Sequence, residues 1–195
     1  MLYWRGIKMA NIISKIIFTK KEASLISKFI LENENTIKSL GQSSYDLTNK
    51  NSLTGTFSFF NFLNSEIGDL LKEKVFKFLK EQNIFKPLYI QCWANTFRKN
   101  EGIGLHKHAE GLEEYLCANI FIDGDEDIGT TYVIDNNNYY FKNTIGEITL
   151  FSSQIPHFVR KNKNDKVRIS IAMDIHQNKN TAGDVENKIR YYYYT

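Results

Sequence analysis

The sequence has 195 residues, of which 42% are hydrophobic and 14% aromatic, and its formal net charge is +3. This length suits one domain with a full core, and the composition excludes a disordered or fibrous protein. The small positive charge gives no strong nucleic-acid or membrane footprint. No run of 18 apolar residues occurs, so we expect no transmembrane helix and predict a cytoplasmic protein. Cys92 and Cys117 lie in apolar runs, which is typical of buried thiols in a reducing compartment.

The first 86 residues predict one strand and two helices. Residues 11–18 alternate enough for a strand, and Thr19 is a typical residue to cap the helix that follows. Apolar residues at helical spacing continue to about residue 33, and a second amphipathic stripe runs from about Phe60 to Gln82. Between them, Gln42–Thr56 is rich in Ser, Asn, Thr and Gly, which predicts a loop that could serve as a lid.

From Pro87 onwards the apolar residues recur with a period of two, which predicts strands. Many short strands separated by turn signals favour a mainly β fold, a sandwich or barrel, with the two helices packed outside. Tyr191–Tyr194 is interpreted either as an added strand or as a contact arm. The predicted strands are Leu88–Arg98, Gly104–His108, Tyr115–Ile122, Thr130–Ile134, Asn138–Phe141, Glu147–Phe151, His157–Arg160 and Val167–Asp174.

Strand alternation predicts which side chains share a face in two of these strands. In Val167–Asp174, Arg168 and Ser170 point one way with Ala172, whereas the apolar residues between them point the other way. In Leu88–Arg98, the polar and aromatic residues share one face, and they are Tyr89, Gln91, Trp93, Asn95 and Phe97. We expect both faces to line one cavity, in which the guanidinium of Arg168 needs an anionic partner.

Three histidines complete the candidate site. His106 and His108 are expected on one face of an extended strand, which is a common way to present two imidazoles to one ion. His157 follows Pro156 at the start of another strand. Taken singly, the pair could lie on the surface and His157 could be structural. Together with Arg168, they indicate a metal with an anionic cosubstrate beside it.

These residues resemble the Fe(II)/2-oxoglutarate-dependent oxygenases, in particular a group common in bacteria and phages. The opening motif reads Trp93, Asn95, His106 and His108 here. The closing motif reads Gly146-Glu147-Ile148-Thr149-Leu150-Phe151-Ser152-Ser153-Gln154-Ile155-Pro156-His157-Phe158-Val159, then Asn162, then Arg168-Ile169-Ser170-Ile171. The resemblance implies a double-stranded β-helix (jelly roll) over about residues 88–175. Residues 1–195 would form a single oxygenase-like domain, with a helical N-terminal support at 11–86 and a tail at 176–195.

The resemblance also implies roles for individual residues. His106 and His157 would bind Fe(II), and Arg168 would hold the distal carboxylate of 2-oxoglutarate, with Ser170 adding a hydroxyl donor. Asn95 would contact the same cosubstrate, but Phe97 stands where related demethylases have a tyrosine and cannot donate that hydrogen bond. The implied reaction uses Fe(II), 2-oxoglutarate and molecular oxygen to hydroxylate or oxidatively demethylate a substrate. Small molecules, peptide side chains and nucleobases all remain open.

The third ligand position departs from the family pattern, which has a carboxylate two residues after the first histidine. Here that position is His108. Either His108 is the third ligand, or Glu110 supplies the carboxylate, or the position is open. We favour His108, because strand alternation points it to the same side as His106.

Two other interpretations remain. In a cupin, a related β-barrel, the metal ligands would be His106, His108, Glu113 and His157. In cupins, however, a glycine precedes the histidine of the second motif, and the residues before His157 contain no such glycine. An arginine at the position of Arg168 also has no function in a cupin. The other alternative is a non-catalytic jelly-roll module that binds sugars or a partner chain and in which the histidines are incidental.

Overall fold

The computed structural model describes residues 12–41, 52–109, 114–178 and 189–195. The helices are α1 (Lys20–Ser39) and α2 (Gly68–Glu81), with short 3-10 helices at Leu53–Thr56 and Phe62–Asn64. No helix in these ranges is both long enough and apolar enough to span a bilayer. The strands are β1 (Ile13–Ile16), β2 (Leu88–Phe97), β3 (Ile103–His106), β4 (Leu116–Asp123), β5 (Thr130–Ile134), β6 (Asn137–Phe141), β7 (Glu147–Ser152), β8 (His157–Val159), β9 (Arg168–His176) and β10 (Tyr192–Tyr194).

The strands form two antiparallel sheets. Six strands pair in the order β1-β7-β4-β9-β2-β10, and four pair in the order β3-β8-β5-β6. The predicted mainly β fold with two helices is therefore confirmed. The C-terminal tyrosines provide an added strand, because β10 pairs with β2. The sheets also extend beyond residues 88–175, since β1 pairs with β7.

The six-stranded sheet separates an apolar core from a cavity whose lining combines polar and aromatic side chains. One face of its central strands packs with buried residues of α1 and α2 into one hydrophobic cluster. The other face of β2 and β9 lines the cavity. The division follows strand alternation, as expected from the sequence. Cys92 and Cys117 are both buried and free, in agreement with the expected buried thiols.

The first helix begins where the sequence predicts and ends later. The Thr19 hydroxyl accepts a hydrogen bond from the backbone N–H of Glu22, and the Glu22 carboxylate accepts one from the backbone N–H of Thr19. The predicted end near residue 33 is wrong, because the helix continues to Ser39. Glu34 and Ile37 are buried in the extra turns, so the buried face continues through a stretch whose polarity suggested a loop.

The second helix begins at Gly68 and not near residue 60 as predicted. Asn61 prevents an earlier start, because its side chain accepts from the Leu63 N–H and donates to the carbonyls of Ile90 and Arg190. The Gly68 backbone lies so close to the Leu63 carbonyl that a Cβ there would collide with it. Of the predicted loop Gln42–Thr56, residues 53–56 form a 3-10 helix and 42–51 lie outside the described residues.

An ion pair between the buried carboxylate of Glu34 and the partly exposed side chain of Arg98 joins α1 to the end of β2. The Glu34 carboxylate accepts from both terminal nitrogens of Arg98, at 3.1 and 2.6 Å, and from the Thr96 hydroxyl at 3.0 Å. Lys38 adds a contact at 2.8 Å. Burial alone would raise the pKa of Glu34, but the hydrogen bonds from Arg98, Lys38 and Thr96 outweigh it and lower the pKa from 4.5 to about 2.

Replacing Glu34 with Gln should lower the free energy of unfolding by about 2 kcal/mol at pH 7, since Arg98 loses its charged partner. The pKa of Glu34 is lower in the folded state, so its stabilising effect is present above pH 4.5 and is lost as the pH falls towards 2. Urea denaturation at pH 7 and pH 3 should therefore show a smaller difference between the two proteins at pH 3.

The control is Glu32→Gln on the same helix, because Glu32 forms only an exposed pair with Lys28. It should change the stability by less than about 0.5 kcal/mol. A Glu34→Gln effect of the same size at both pH values would contradict the assignment of this stabilisation to the ion pair.

Candidate metal centre and anion site

Three histidines from two strands and one bend converge at a single point. The potential ligand atoms of His106, His108 and His157 all lie within 4.8 Å of one another. The ring centroids of His106 and His157 are 4.3 Å apart, and that of His108 is 5.4 Å from His106 and 5.1 Å from His157. The structure thus brings together the three histidines that the sequence analysis selected.

Strand pairing and one loop contact position these rings. His106 ends β3 and faces His157, the first residue of β8, across the antiparallel pair. The predicted strand Gly104–His108 is too long, because β3 ends at His106. His108 lies in the bend that follows, where its backbone N–H donates to the Ser153 carbonyl at 3.1 Å. That hydrogen bond, and not strand alternation, sets the position of His108.

The Nδ1 atom of each imidazole forms a hydrogen bond on the side that faces away from the point of convergence. The Nδ1 of His106 is 2.9 Å from the Gly104 carbonyl oxygen, and that of His157 is 3.0 Å from the Ile155 carbonyl oxygen. A carbonyl oxygen can only accept, so Nδ1 carries the proton and Nε2 carries the lone pair. The Nδ1 of His108 is 2.6 Å from Oδ1 of Asp174. This hydrogen-bonding pattern is typical of metal-binding histidines.

The surroundings favour the neutral forms of the His106 and His157 rings. Burial lowers the pKa of His106, and the neighbouring His108 lowers it further. Burial also places the pKa of His157 well below its usual range, with additional contributions from His108 and His106. Neutral imidazoles are the ligating form, and three of them suit a divalent first-row transition metal such as iron, nickel, copper or zinc.

The sequence analysis did not identify Asp174 as part of the site. Its carboxylate is buried and also accepts a hydrogen bond from the Cys117 thiol at 3.2 Å. Burial by itself would raise the pKa of Asp174, but His108, together with His176 and Cys117, outweighs that effect and the pKa is lowered. A signal was present, because Asp174 lies on the same face of β9 as Arg168 and Ser170.

Arg168 is a buried cation that faces the cavity, with 1% of its surface exposed. Its Nε donates to the Ile128 carbonyl at 3.0 Å, and its two Nη atoms lie 3.2 and 3.5 Å from Ser170 Oγ and Asn143 Oδ1. Within the described ranges no carboxylate lies at ion-pair distance from it. Burial lowers the pKa of Arg168 to about 10, so the group remains charged at neutral pH.

Ser170 and Asn95 lie beside this guanidinium. The Asn95 amide nitrogen is 3.4 Å from Ser170 Oγ, and its carbonyl oxygen accepts from the Thr54 hydroxyl at 2.8 Å. Phe97 packs against Arg168, with the guanidinium carbon 5.8 Å from the ring centroid. The structure therefore places all the residues predicted to bind a cosubstrate in one cluster.

The histidines and Arg168 share one cavity of about 410 Å³ that both sheets line. Along the β2–β9 pair, Arg168 faces Phe97 and Asp174 faces Gln91. Arg168 and Asp174 are six residues apart along β9, which corresponds to roughly 20 Å of extended strand. The Trp93 and His108 ring centroids lie 5.8 Å apart on the wall between them. Glu110 and Glu113, the alternative carboxylate ligands, lie outside the described residues.

Comparison with solved structures shows the fold. A prolyl-4-hydroxylase from Pseudomonas putida matches with a TM-score of 0.64 and 9% identity, over 86% of this chain and 92% of that one. HygX from Streptomyces hygroscopicus, with nickel, 2-oxoglutarate and hygromycin B bound, matches with a TM-score of 0.58 and 11% identity, over 88% and 84% of the two chains. The fold is the one that these enzymes share.

A prolyl hydroxylase from Trichoplax adhaerens, in complex with a peptide fragment of hypoxia-inducible factor, also matches. Its TM-score is 0.62 and its identity 10%, over 89% of this chain and 86% of that one. No family model matches the sequence. No curated protein matches it either.

Substituting Ala for His106 or His157 should weaken Co(II) binding at least 100-fold, because each change removes one of three converging nitrogen donors. Anaerobic titration followed by the visible absorption of Co(II) measures the affinity. The control is His176→Gln. The ring centroid of this fourth histidine lies 4.0 Å from that of Tyr115, and His176 is not among the converging donors. Equal affinities for His106→Ala and His176→Gln would contradict a metal centre at this point.

Proposed function

We propose that this protein is an Fe(II)- and 2-oxoglutarate-dependent oxygenase. The observation that carries the proposal is the presence, in one cavity, of three converging imidazoles and a buried guanidinium. A metal dication would bind to the imidazoles, and an organic dianion would pair with the guanidinium. We also propose that the two sheets close into a double-stranded β-helix around the cavity.

His106, His108 and His157 are the proposed metal ligands. Their hydrogen bonds to Gly104, Asp174 and Ile155 fix the ring orientations before a metal arrives, so binding orders few side chains. When bound, Fe(II) supplies the activation of oxygen in which 2-oxoglutarate is decarboxylated to succinate and a substrate C–H bond becomes C–OH. The protein's contribution is to bind, orient and exclude water.

Arg168 is the proposed site for the distal carboxylate of 2-oxoglutarate. A guanidinium has five N–H donors, and Ile128, Ser170 and Asn143 each accept from one, so two remain for a ligand. Burial among Phe97 and Phe121 strengthens an ion pair formed there, because water does not screen it. The cation is costly to bury alone, and an anionic ligand removes that cost.

Ser170 and Asn95 are proposed to complete the cosubstrate site. Ser170 Oγ accepts hydrogen bonds from Arg168 and Asn95, so its own proton is left to donate to a carboxylate. Asn95 is held in place by Thr54 from the 3-10 helix. The substrate is proposed to undergo hydroxylation or oxidative demethylation, and its chemical identity is open.

A cupin-type dioxygenase is the second candidate, with the same three histidines and Glu113. Its reaction would not consume 2-oxoglutarate, and the buried guanidinium in the same cavity would have no role. A non-catalytic binding module would need neither the metal nor the keto acid. Activity that persists without 2-oxoglutarate would select the cupin, and failure to bind any transition metal would select the binding module.

Anaerobic titration of the protein with Fe(II) and then 2-oxoglutarate tests the proposal directly. A metal-bound 2-oxo acid gives a weak visible charge-transfer band, which should saturate at one equivalent of 2-oxoglutarate. Succinate release on admission of oxygen, measured with candidate substrates, then tests turnover. A protein that binds Fe(II) but shows no band and releases no succinate would refute the proposal.

Replacing Arg168 with Gln should weaken 2-oxoglutarate binding about 100-fold or more, because a buried charge pair is lost. The charge-transfer titration measures the change, and Fe(II) affinity should stay within a few fold. Arg160→Gln is the matched control, since Arg160 is exposed just after β8 and the change in net charge is the same. Equal 2-oxoglutarate affinities for the two variants would refute the assigned role of Arg168.

A further inference from the structure

The site contains a carboxylate, that of Asp174, but the ring of His108 lies between it and the point where the three imidazoles converge. Asp174 Oδ1 lies 2.6 Å from His108 Nδ1, and both side chains are largely buried. The usual oxygenase ligand set has two histidines and one carboxylate that touches the metal. Here the position two residues after His106 is an imidazole, and an aspartate lies on the far side of that imidazole.

Asp174 does not itself join the point of convergence. The three imidazoles form one group of mutually close donor atoms, whereas Asp174 groups only with His108 and Cys117. The hydrogen bond that connects the carboxylate to the three imidazoles is therefore the one to the ring of His108. Asp174 is a positioning residue in this account, and it does not touch the reacting atoms.

The partners of Asp174 point to a positive charge that lies beyond His108. A buried carboxylate is costly unless it is paired and hydrogen-bonded. Among the residues that the structure describes, the His108 ring nitrogen and the Cys117 thiol donate hydrogen bonds to Asp174. No lysine or arginine within the described parts of the chain lies at ion-pair distance from it. A metal cation on the other nitrogen of His108 would supply the missing opposite charge.

We propose that Asp174 provides the negative charge of this centre through His108. By accepting the Nδ1 proton, it holds the lone pair on Nε2 and makes that nitrogen a stronger donor to the metal. The inference rests on the proposed function, since it concerns the same metal. It adds that the carboxylate of the usual ligand set is replaced by a histidine–aspartate pair.

The test is a double-mutant cycle on Co(II) and Fe(II) affinity, measured anaerobically on the full chain. Asp174→Asn keeps the shape and removes the charge, so it should weaken binding about 10- to 100-fold. In the His108→Asp background a carboxylate stands in the ligand position directly. There, Asp174→Asn should change the affinity less than about threefold, because the charge that it removes no longer reaches the metal through an imidazole.

Cys117→Ala is the matched control, because it removes the other hydrogen-bond donor to Asp174 and leaves the pair with His108 intact. It should leave the metal affinity unchanged within about threefold. An unchanged affinity in Asp174→Asn would overturn the inference. So would an equal loss in both backgrounds, since that outcome would indicate general damage to the fold.

A second measurement needs no variant. Long-range ¹H–¹⁵N NMR spectra of the metal-free protein report which ring nitrogen carries the proton. They should show the Nδ1–H form for His108, and the Nε2–H form would overturn the inference. Failure of the wild-type protein to bind Fe(II) would instead refute the proposed function. Binding of Fe(II) and 2-oxoglutarate with no effect of Asp174→Asn would refute this inference alone.

Discussion

The antiparallel pairing of β2 with β9 fixes both the hydrophobic core and the wall of the cavity. These strands run antiparallel in unbroken register from Tyr89 opposite His176 to Phe97 opposite Arg168. Side chains alternate along both strands, so one register gives an apolar face to the helices and a polar face to the cavity. A slip of one residue would turn Arg168 and Asp174 into the hydrophobic core. Packing of the core therefore also fixes the site.

The same pairing separates opposite charges along the cavity. The Arg168 cation lies near one end of β9 and the Asp174 anion near the other, with the histidine cluster beside Asp174. Both charged groups are buried, and within the described residues no carboxylate lies at ion-pair distance from Arg168 and no lysine or arginine lies at that distance from Asp174. This arrangement is costly in an empty protein but complementary to a dication and a dicarboxylate. An anionic ligand would thus pair with Arg168, and a metal cation would lie on the far side of the His108 ring from Asp174.

Much of the fold and of the candidate site could be predicted from the sequence, because both follow from local periodicity. Alternation placed Arg168, Ser170 and Asn95 on faces that line one cavity, and spacing selected His106, His108 and His157. Long-range contacts were not predictable in the same way. His108 owes its position to a hydrogen bond with Ser153, and its partner Asp174 is distant in sequence. The ends of the helices depended on the burial of Glu34 and on the contacts of Asn61.

Other expectations remain predictions. The organisation as one domain over residues 1–195 and the cytoplasmic location follow from the sequence alone. The roles of individual site residues rest on their geometry, since structural relatives at 9 to 11% identity establish the fold and not the chemistry. The carboxylates at positions 110 and 113 lie outside the described residues, so a direct measurement of the ligand set has particular value.

X-ray absorption spectroscopy of the Fe(II)-loaded protein at the iron K edge would show whether His106, His108 and His157 bind one metal ion. Multiple scattering from imidazole rings reports how many histidines bind the metal. We expect three imidazoles, with the remaining scatterers being oxygen from water or 2-oxoglutarate. A spectrum that fits two imidazoles together with a protein carboxylate, or one with no imidazole scattering, would contradict this expectation.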